Sequence, residues 1–177
     1  MIFNLNGFEI APIQDKDAWR LCNFMVANSE RFKNDFPGTL KQNLNPTLST
    51  LFVQGKTRQF NAGEEYLFTI KEEENRTIIG LIYLKELQKK KGQGELAYCI
   101  GYEYEGKGLT TRFLYQIVQW AFETLGLDTL QIIAHKENLG SVCIAEKLGF
   151  TWQCTLKHAH TRYGGNIVDM ELYEKYH

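Results

Sequence analysis

The residues with the most chemistry to offer sit in one short run, Glu105-Gly106-Lys107-Gly108-Leu109-Thr110-Thr111, between a strand-like and a helix-like segment. A helix start leaves backbone N–H groups without acceptors, at the positive end of the helix dipole. Glycines let the chain turn sharply and approach a ligand closely. Lys107 adds a positive charge, and Thr110 and Thr111 add hydroxyls in the first turn. Such a run suits a bound anion, above all a pyrophosphate. Two familiar nucleotide motifs do not fit. The Walker pattern needs Ser or Thr after Gly-Lys, and Gly108 stands there. The dinucleotide fingerprint needs a third glycine where Thr111 stands.

A second cluster is His135-Lys136-Glu137-Asn138-Leu139-Gly140-Ser141, running into Cys143-Ile144-Ala145-Glu146-Lys147-Leu148-Gly149-Phe150. Asn138 and Ser141 are residue types that cap helices. They also stand at the top of a second strand–helix junction. Two such junctions side by side form a cleft at the carboxyl edge of a sheet, where ligands commonly bind.

The elements that position these residues follow from apolar spacing. Phe8–Ile13 reads as a strand. Asp15 caps a helix whose apolar positions include Trp19, Leu21, Cys22, Met25 and Val26. Residues 29–45 carry Pro37-Gly38 and end at Pro46, which breaks them into short pieces. Leu48–Phe60 reads as a second helix, with Leu48, Leu51, Phe52 and Gly55 on one side, of the kind that walls a substrate pocket. Tyr66–Ile70 and Ile78–Leu84 form a hairpin. Leu96–Tyr102 is the next strand. Leu109, Phe113, Ile117, Ala121 and Leu125 recur every fourth residue in a long amphipathic helix that Gly126 closes. Leu130–Ala134 is a strand, Asn138 starts a helix ending at Gly149, and Phe150–Leu156 and Ile167–Tyr173 are closing strands. The order predicts an α/β (α+β) fold: a mixed, mostly antiparallel central sheet with helices on both faces.

The chain has 177 residues, 44% of them hydrophobic and 23% charged. That is enough for one domain over 1–177 with a single core. A net charge of −1 offers no electrostatic footprint for nucleic acid, so no direct nucleic-acid partner is expected. No stretch approaches a membrane span, and the N-terminus does not read as a signal peptide. No Cys/His spacing suggests a metal. Cys99 and Cys143 sit in apolar runs and read as core residues, which points to a reducing compartment, the cytoplasm.

At these residues the chain resembles the GNAT superfamily of acyl-CoA-dependent N-acetyltransferases. The family's motif Q/R-x-x-G-x-G/A reads Glu103-Tyr104-Glu105-Gly106-Lys107-Gly108 here, with both glycines kept and an acid in the leading place. ELAYCIGYEYEGKG, Asn138-x-x-Ser141 running into EKLGF, and the last strand Asp169–Tyr173 look most like the Rim-type (RimJ/RimL-like) ribosomal-protein acetyltransferases. The resemblance implies a GNAT-like fold and acetyl-CoA as co-substrate, without a metal. It implies that the strand holding Tyr98, Ile100 and Tyr102 splays from its neighbour and pairs with the pantetheine arm. A backbone N–H near Ile100 would polarise the thioester carbonyl. Gly106, Lys107, Gly108, Leu109, Thr110 and Thr111 would hold the pyrophosphate, and Asn138 the pantetheine arm.

Direct attack of an amine on a thioester needs no enzyme nucleophile. It needs a neutral amine, a stabilised oxyanion and a proton for the leaving thiolate. His160, where Rim-type enzymes often carry a glutamate, is the favoured base. Glu95 is a second candidate, acting through water. Ser141 is the choice for the thiolate's proton, with Tyr98, Tyr102 and Tyr104 as alternatives. The expected acceptor is the N-terminal α-amine of a protein such as a ribosomal protein. The alternatives are a small amine (polyamine, amino sugar or antibiotic) and a non-catalytic acyl-CoA-binding module. The chain is expected as a monomer or homodimer.

Overall fold

A computed structural model describes residues 3–177. What the sequence reading says of residues 1 and 2 lies outside them. Eight strands, β1 (Phe3–Leu5), β2 (Phe8–Pro12), β3 (Tyr66–Glu72), β4 (Ile78–Gln88), β5 (Gln93–Ile100), β6 (Thr129–Ala134), β7 (Thr151–Thr161) and β8 (Ile167–Tyr176), form one mixed sheet in the order β1-β2-β3-β4-β5-β6-β8-β7. β5 and β6 run parallel, whereas β1–β2, β2–β3, β6–β8 and β7–β8 are antiparallel. The helices are α1 (Ala18–Ala27), α2 (Ser29–Asp35), α3 (Pro37–Lys41), α4 (Pro46–Ala62), α5 (Leu109–Glu123) and α6 (Leu139–Lys147).

The chain divides into two compact units, and β4 and β5 each contribute residues to both. Unit 1 runs to Tyr83 and includes Tyr98–Glu105. Its core holds Ile10, Leu21, Met25, Val53, Phe68 and Ile70. α1 and α4 pack together in it. One ion pair is buried there: Lys71 donates to Asp17 at 2.8 Å, and both side chains are almost wholly enclosed. Burying either charge alone would be costly, so each requires the other.

Unit 2 comprises Leu84–Ala97 and Gly106–His177. α5 buries Phe113, Leu114, Ile117, Val118 and Ala121. That is the stripe an i, i+4 repeat must turn inward. Each large side chain so buried contributes about 2 kcal/mol. Gly126 at φ 67° follows the helix, as expected of a closing glycine.

Several boundaries differ from the sequence expectation. β1 is an added strand, built on a two-residue turn at Asn6-Gly7, where both φ values are positive. α1 begins at Ala18 after a 3₁₀ turn over Asp15–Asp17, and it leaves Trp19 and Val26 exposed. β5 stops at Ile100, and Tyr102–Tyr104 form a 3₁₀ turn, so Tyr102 is not a strand residue. β7 runs on to Thr161 because a break in register between Leu156 and His160 lets pairing resume. Cys99 and Cys22 are buried, but Cys143 and Cys154 are exposed, so Cys143 is no core residue. Its helix, α6, turns Ala145 inward instead.

Candidate active site

The glycine turn keeps the geometry its residues suggest. Gly106 and Gly108 both lie at φ 70°, and a methyl group on either would meet nothing within 4 Å. They are glycines for backbone conformation, not for crowding. Gly108 starts α5, and no side chain caps it. The cap residue of this fifteen-residue helix thus offers no side-chain acceptor to its first N–H groups. Leu109 and Thr110 are buried, Thr111 is half-buried, and Gly106, Lys107 and Gly108 are exposed. This helix start fits a bound pyrophosphate.

The second junction also forms. β6 leads into α6, whose cap is Asn138: its Oδ1 accepts from the Ser141 N–H at 3.1 Å. The capping role expected of Asn138 is thus real. Its oxygen serves the first turn of that helix. α5 and α6 are in contact within unit 2.

In unit 1, the end of β5 has a defined edge. A methyl group on Gly80 would meet the Cys99 carbonyl oxygen at 2.8 Å. The Gly101 N–H donates to the Ile79 carbonyl at 2.7 Å. Cys99 C=O and Gly101 N–H thus face β4. By the alternation of a strand, the N–H and C=O of Ile100 face away from it. β5 pairs with β6 only from Gln93 to Leu96, opposite Thr129 to Ile132. The Tyr98 and Ile100 peptide groups lie beyond that pairing. Tyr102 follows the strand with its ring 72% exposed, and its N–H donates to Asn28 Oδ1 at 3.3 Å.

The acid/base candidates are dispersed over elements. His160 lies within β7, opposite Val168, beyond the Leu156 end expected for that strand. A polar Lys-His-Ala-His run at a sheet edge can pair as well as an apolar one, because its outer face meets water. Glu95 lies on β5 opposite Gln131 and is ion-paired with Lys85 at 2.8 Å. Ser141 is in the first turn of α6. Tyr104 donates its hydroxyl to Glu72 at 2.6 Å, and its pKa is pushed up to about 12 by burial and then by Glu72. It is therefore held protonated and engaged. Among the described residues no group of His, Cys, Asp and Glu is arranged to hold a metal. No helix among them is long and apolar enough to cross a membrane.

The sequence profile of the acetyltransferase (GNAT) domain family matches residues 8–151. The chain belongs to this family. As a GNAT acetyltransferase it is an enzyme of N-acetyl transfer. It is similar to YdaF of Bacillus subtilis (strain 168), a candidate ribosomal N-acetyltransferase, at 27% identity over 144 residues, 80% of this chain and 76% of that protein. It is also similar to the spermidine N(1)-acetyltransferase of Escherichia coli (strain K12), at 37% identity over 79 residues, 45% of this chain and 42% of that protein. Among solved structures, the ribosomal-protein-S5-alanine acetyltransferase of Vibrio fischeri shares the fold with a TM-score of 0.93 at 19% identity, over 99% of this chain and 96% of that one.

Unit 1 of this GNAT enzyme also carries an open groove of about 680 Å³ along α4. Leu48, Leu51, Phe52, Lys56, Arg58 and Glu64 line it. The face expected to wall a pocket does so, with Leu51 left 62% exposed. Sequence reasoning overlooked three residues that shape this unit: Gly80, Asn28 and Arg31. The only signal for Gly80 was a glycine inside a strand-like run, a mark of close backbone approach.

Proposed function

We propose that this enzyme transfers the acetyl group of acetyl-CoA to the N-terminal α-amine of a protein, such as a ribosomal protein. The observation that carries the acceptor class is the α4 groove. It is open and partly apolar, and its charges nearly balance: its lining holds Arg58 and Glu64, and Lys56 is paired with Glu65 at 2.7 Å. A polyamine calls for a net acidic pocket, whereas an extended peptide suits an open, partly apolar channel. The name of YdaF points the same way. The match to a spermidine acetyltransferase favours a second reading, a polyamine acceptor.

In this reading acetyl-CoA brings an activated thioester, and the chain binds and orients it. The uncapped start of α5, from Gly106 to Thr111, holds the pyrophosphate. Asn138 bonds the pantetheine arm. The outward N–H of Ile100 faces the thioester carbonyl and stabilises the oxyanion as the amine attacks. An α-amine, with an ordinary pKa near 7.7–8.0, needs little help to lose its proton. His160 takes that proton, with Glu95 as the second candidate, and Ser141 hydrogen-bonds the departing sulfur. The buried Cys99 thiol is pushed up to about 12 by desolvation and is no nucleophile at neutral pH, which fits direct attack. Exposed thiols at Cys143 and Cys154 fit a reducing compartment, the cytoplasm. The family match runs through residues of both units, which supports one domain over 1–177.

The test is thiol release from acetyl-CoA across N-terminal peptides, spermidine and amino sugars. Peptides are expected to turn over, and His160→Ala to lose about a hundredfold in kcat with little change in KM, as for a lost general base. Turnover of spermidine without peptides would replace the first reading by the second. An undiminished His160→Ala would remove His160 from its role.

A further inference from the structure

We infer that Arg31 of α2 is a positioning residue for the acetyl donor: it fixes the segment between β5 and the glycine turn and cancels a carboxylate beside it. The inference rests on the donor-binding role proposed above for that segment. The Arg31 guanidinium reaches across a long sequence separation. Its Nη1 donates to the Ile100 carbonyl at 3.3 Å and to Asn28 Oδ1 at 3.4 Å, while Nη2 pairs with the Glu105 carboxylate. Asn28 Oδ1 also accepts the Tyr102 N–H at 3.3 Å. The same guanidinium lies 5.8 Å from the centre of the Tyr102 ring. One cation and one amide on consecutive turns of chain thus tie down Ile100, Tyr102 and Glu105, both ends and the middle of the connection that ends at Gly106.

Two features make this more than packing. First, the Ile100 carbonyl that Arg31 holds points away from β4, to the same side as the Ile100 N–H. Arg31 therefore stands at the edge of β5 that the thioester is proposed to use. Secondly, the run Glu103-Tyr104-Glu105 places two carboxylates within three residues of a turn meant for a dianion. An uncompensated carboxylate there repels a pyrophosphate. Pairing Glu105 with Arg31 cancels one of the two charges and leaves a net-neutral ion pair at the residue before the turn.

The experiment compares wild type, Arg31→Gln, Arg31→Lys, Glu105→Gln and the Arg31→Gln/Glu105→Gln double variant. Acetyl-CoA affinity is measured by titration calorimetry, with steady-state kinetics and thermal melting alongside. Arg31→Gln is expected to raise both Kd and KM for acetyl-CoA about tenfold, the scale of a lost charge-assisted contact. The acceptor KM should stay within about twofold of wild type. Arg31→Lys keeps the charge and should recover most of the affinity. Adding Glu105→Gln to Arg31→Gln should restore part of it, because the stranded carboxylate is gone. Glu105→Gln alone should bind acetyl-CoA at least as tightly as wild type, and this arm stands even if Arg31→Gln does not fold. Arg31→Gln binding acetyl-CoA like wild type would overturn the inference. So would an equal rise in the donor and acceptor KM values in step with a lower Tm, the mark of a purely structural residue. Wild type that fails to bind acetyl-CoA would overturn the donor reading itself, and this inference with it.

Discussion

Gly108 carries two duties at once: a left-handed backbone at φ 70°, and the start of α5 without a side-chain cap. Any side chain there is strained, although space is open around it. Gly108→Ala is therefore expected to cost about 1 kcal/mol of stability from the backbone alone. Asn enters the left-handed region more readily, so Gly108→Asn should cost less. Chemical denaturation measures both. If the turn holds the donor's pyrophosphate, both variants should also raise the acetyl-CoA KM beyond what their stability loss explains. Equal costs for Ala and Asn would show that φ is not what the position demands.

Among the elements, α6 allows its two candidate roles to be separated. Asn138→Ala removes the cap and is expected to destabilise by about 1 kcal/mol. Asn138→Asp keeps an oxygen for the Ser141 N–H and turns the rest of the side chain from an amide into a carboxylate. It should melt close to wild type and yet bind acetyl-CoA more weakly, which calorimetry would detect. Equal affinity would leave Asn138 as a cap alone. The elements also show what could be read from sequence. α5 was legible because its apolar residues repeat over four turns, and the glycine turn was legible because it interrupts that pattern. Tyr102 was misplaced because Tyr-Cys-Ile-Gly-Tyr-Glu-Tyr is dense in strand formers, and nothing local signals that pairing ends at Ile100. The strand that carries His160 was cut short at Leu156 because polar residues on an edge strand resemble a loop. Arg31 was out of reach: Ile100 and Glu105, its partners, lie 69 and 74 residues away. No local pattern encodes a contact of that span.

For the molecule as a whole, acid stability has an identifiable contributor. Arg76 donates to both Glu9 oxygens, at 2.8 and 2.6 Å. That hydrogen bonding holds the Glu9 carboxyl below its ordinary value of 4.5. A carboxyl with a lowered folded pKa stabilises the fold above its unfolded value, and the benefit is lost as pH falls through the folded one. Glu9→Gln should therefore be less stable than wild type at pH 7, and the gap should close as pH drops below about 4.5. Urea melts at several pH values would show it, and a gap independent of pH would refute it. The orientation of the Ile100 peptide has a different kind of consequence. It is set by the alternation of β5 against Gly80 and Ile79, whatever side chain position 100 carries. Alanine scanning of position 100 reads only the packing of an isoleucine; an ester in place of the 99–100 amide is the change that deletes the N–H. If the Ile100 N–H is the transfer centre, that centre is written in main chain and is largely insulated from mutation. On the same reading the groove on α4, written in side chains, is free to drift toward new amines while the chemistry is inherited unchanged.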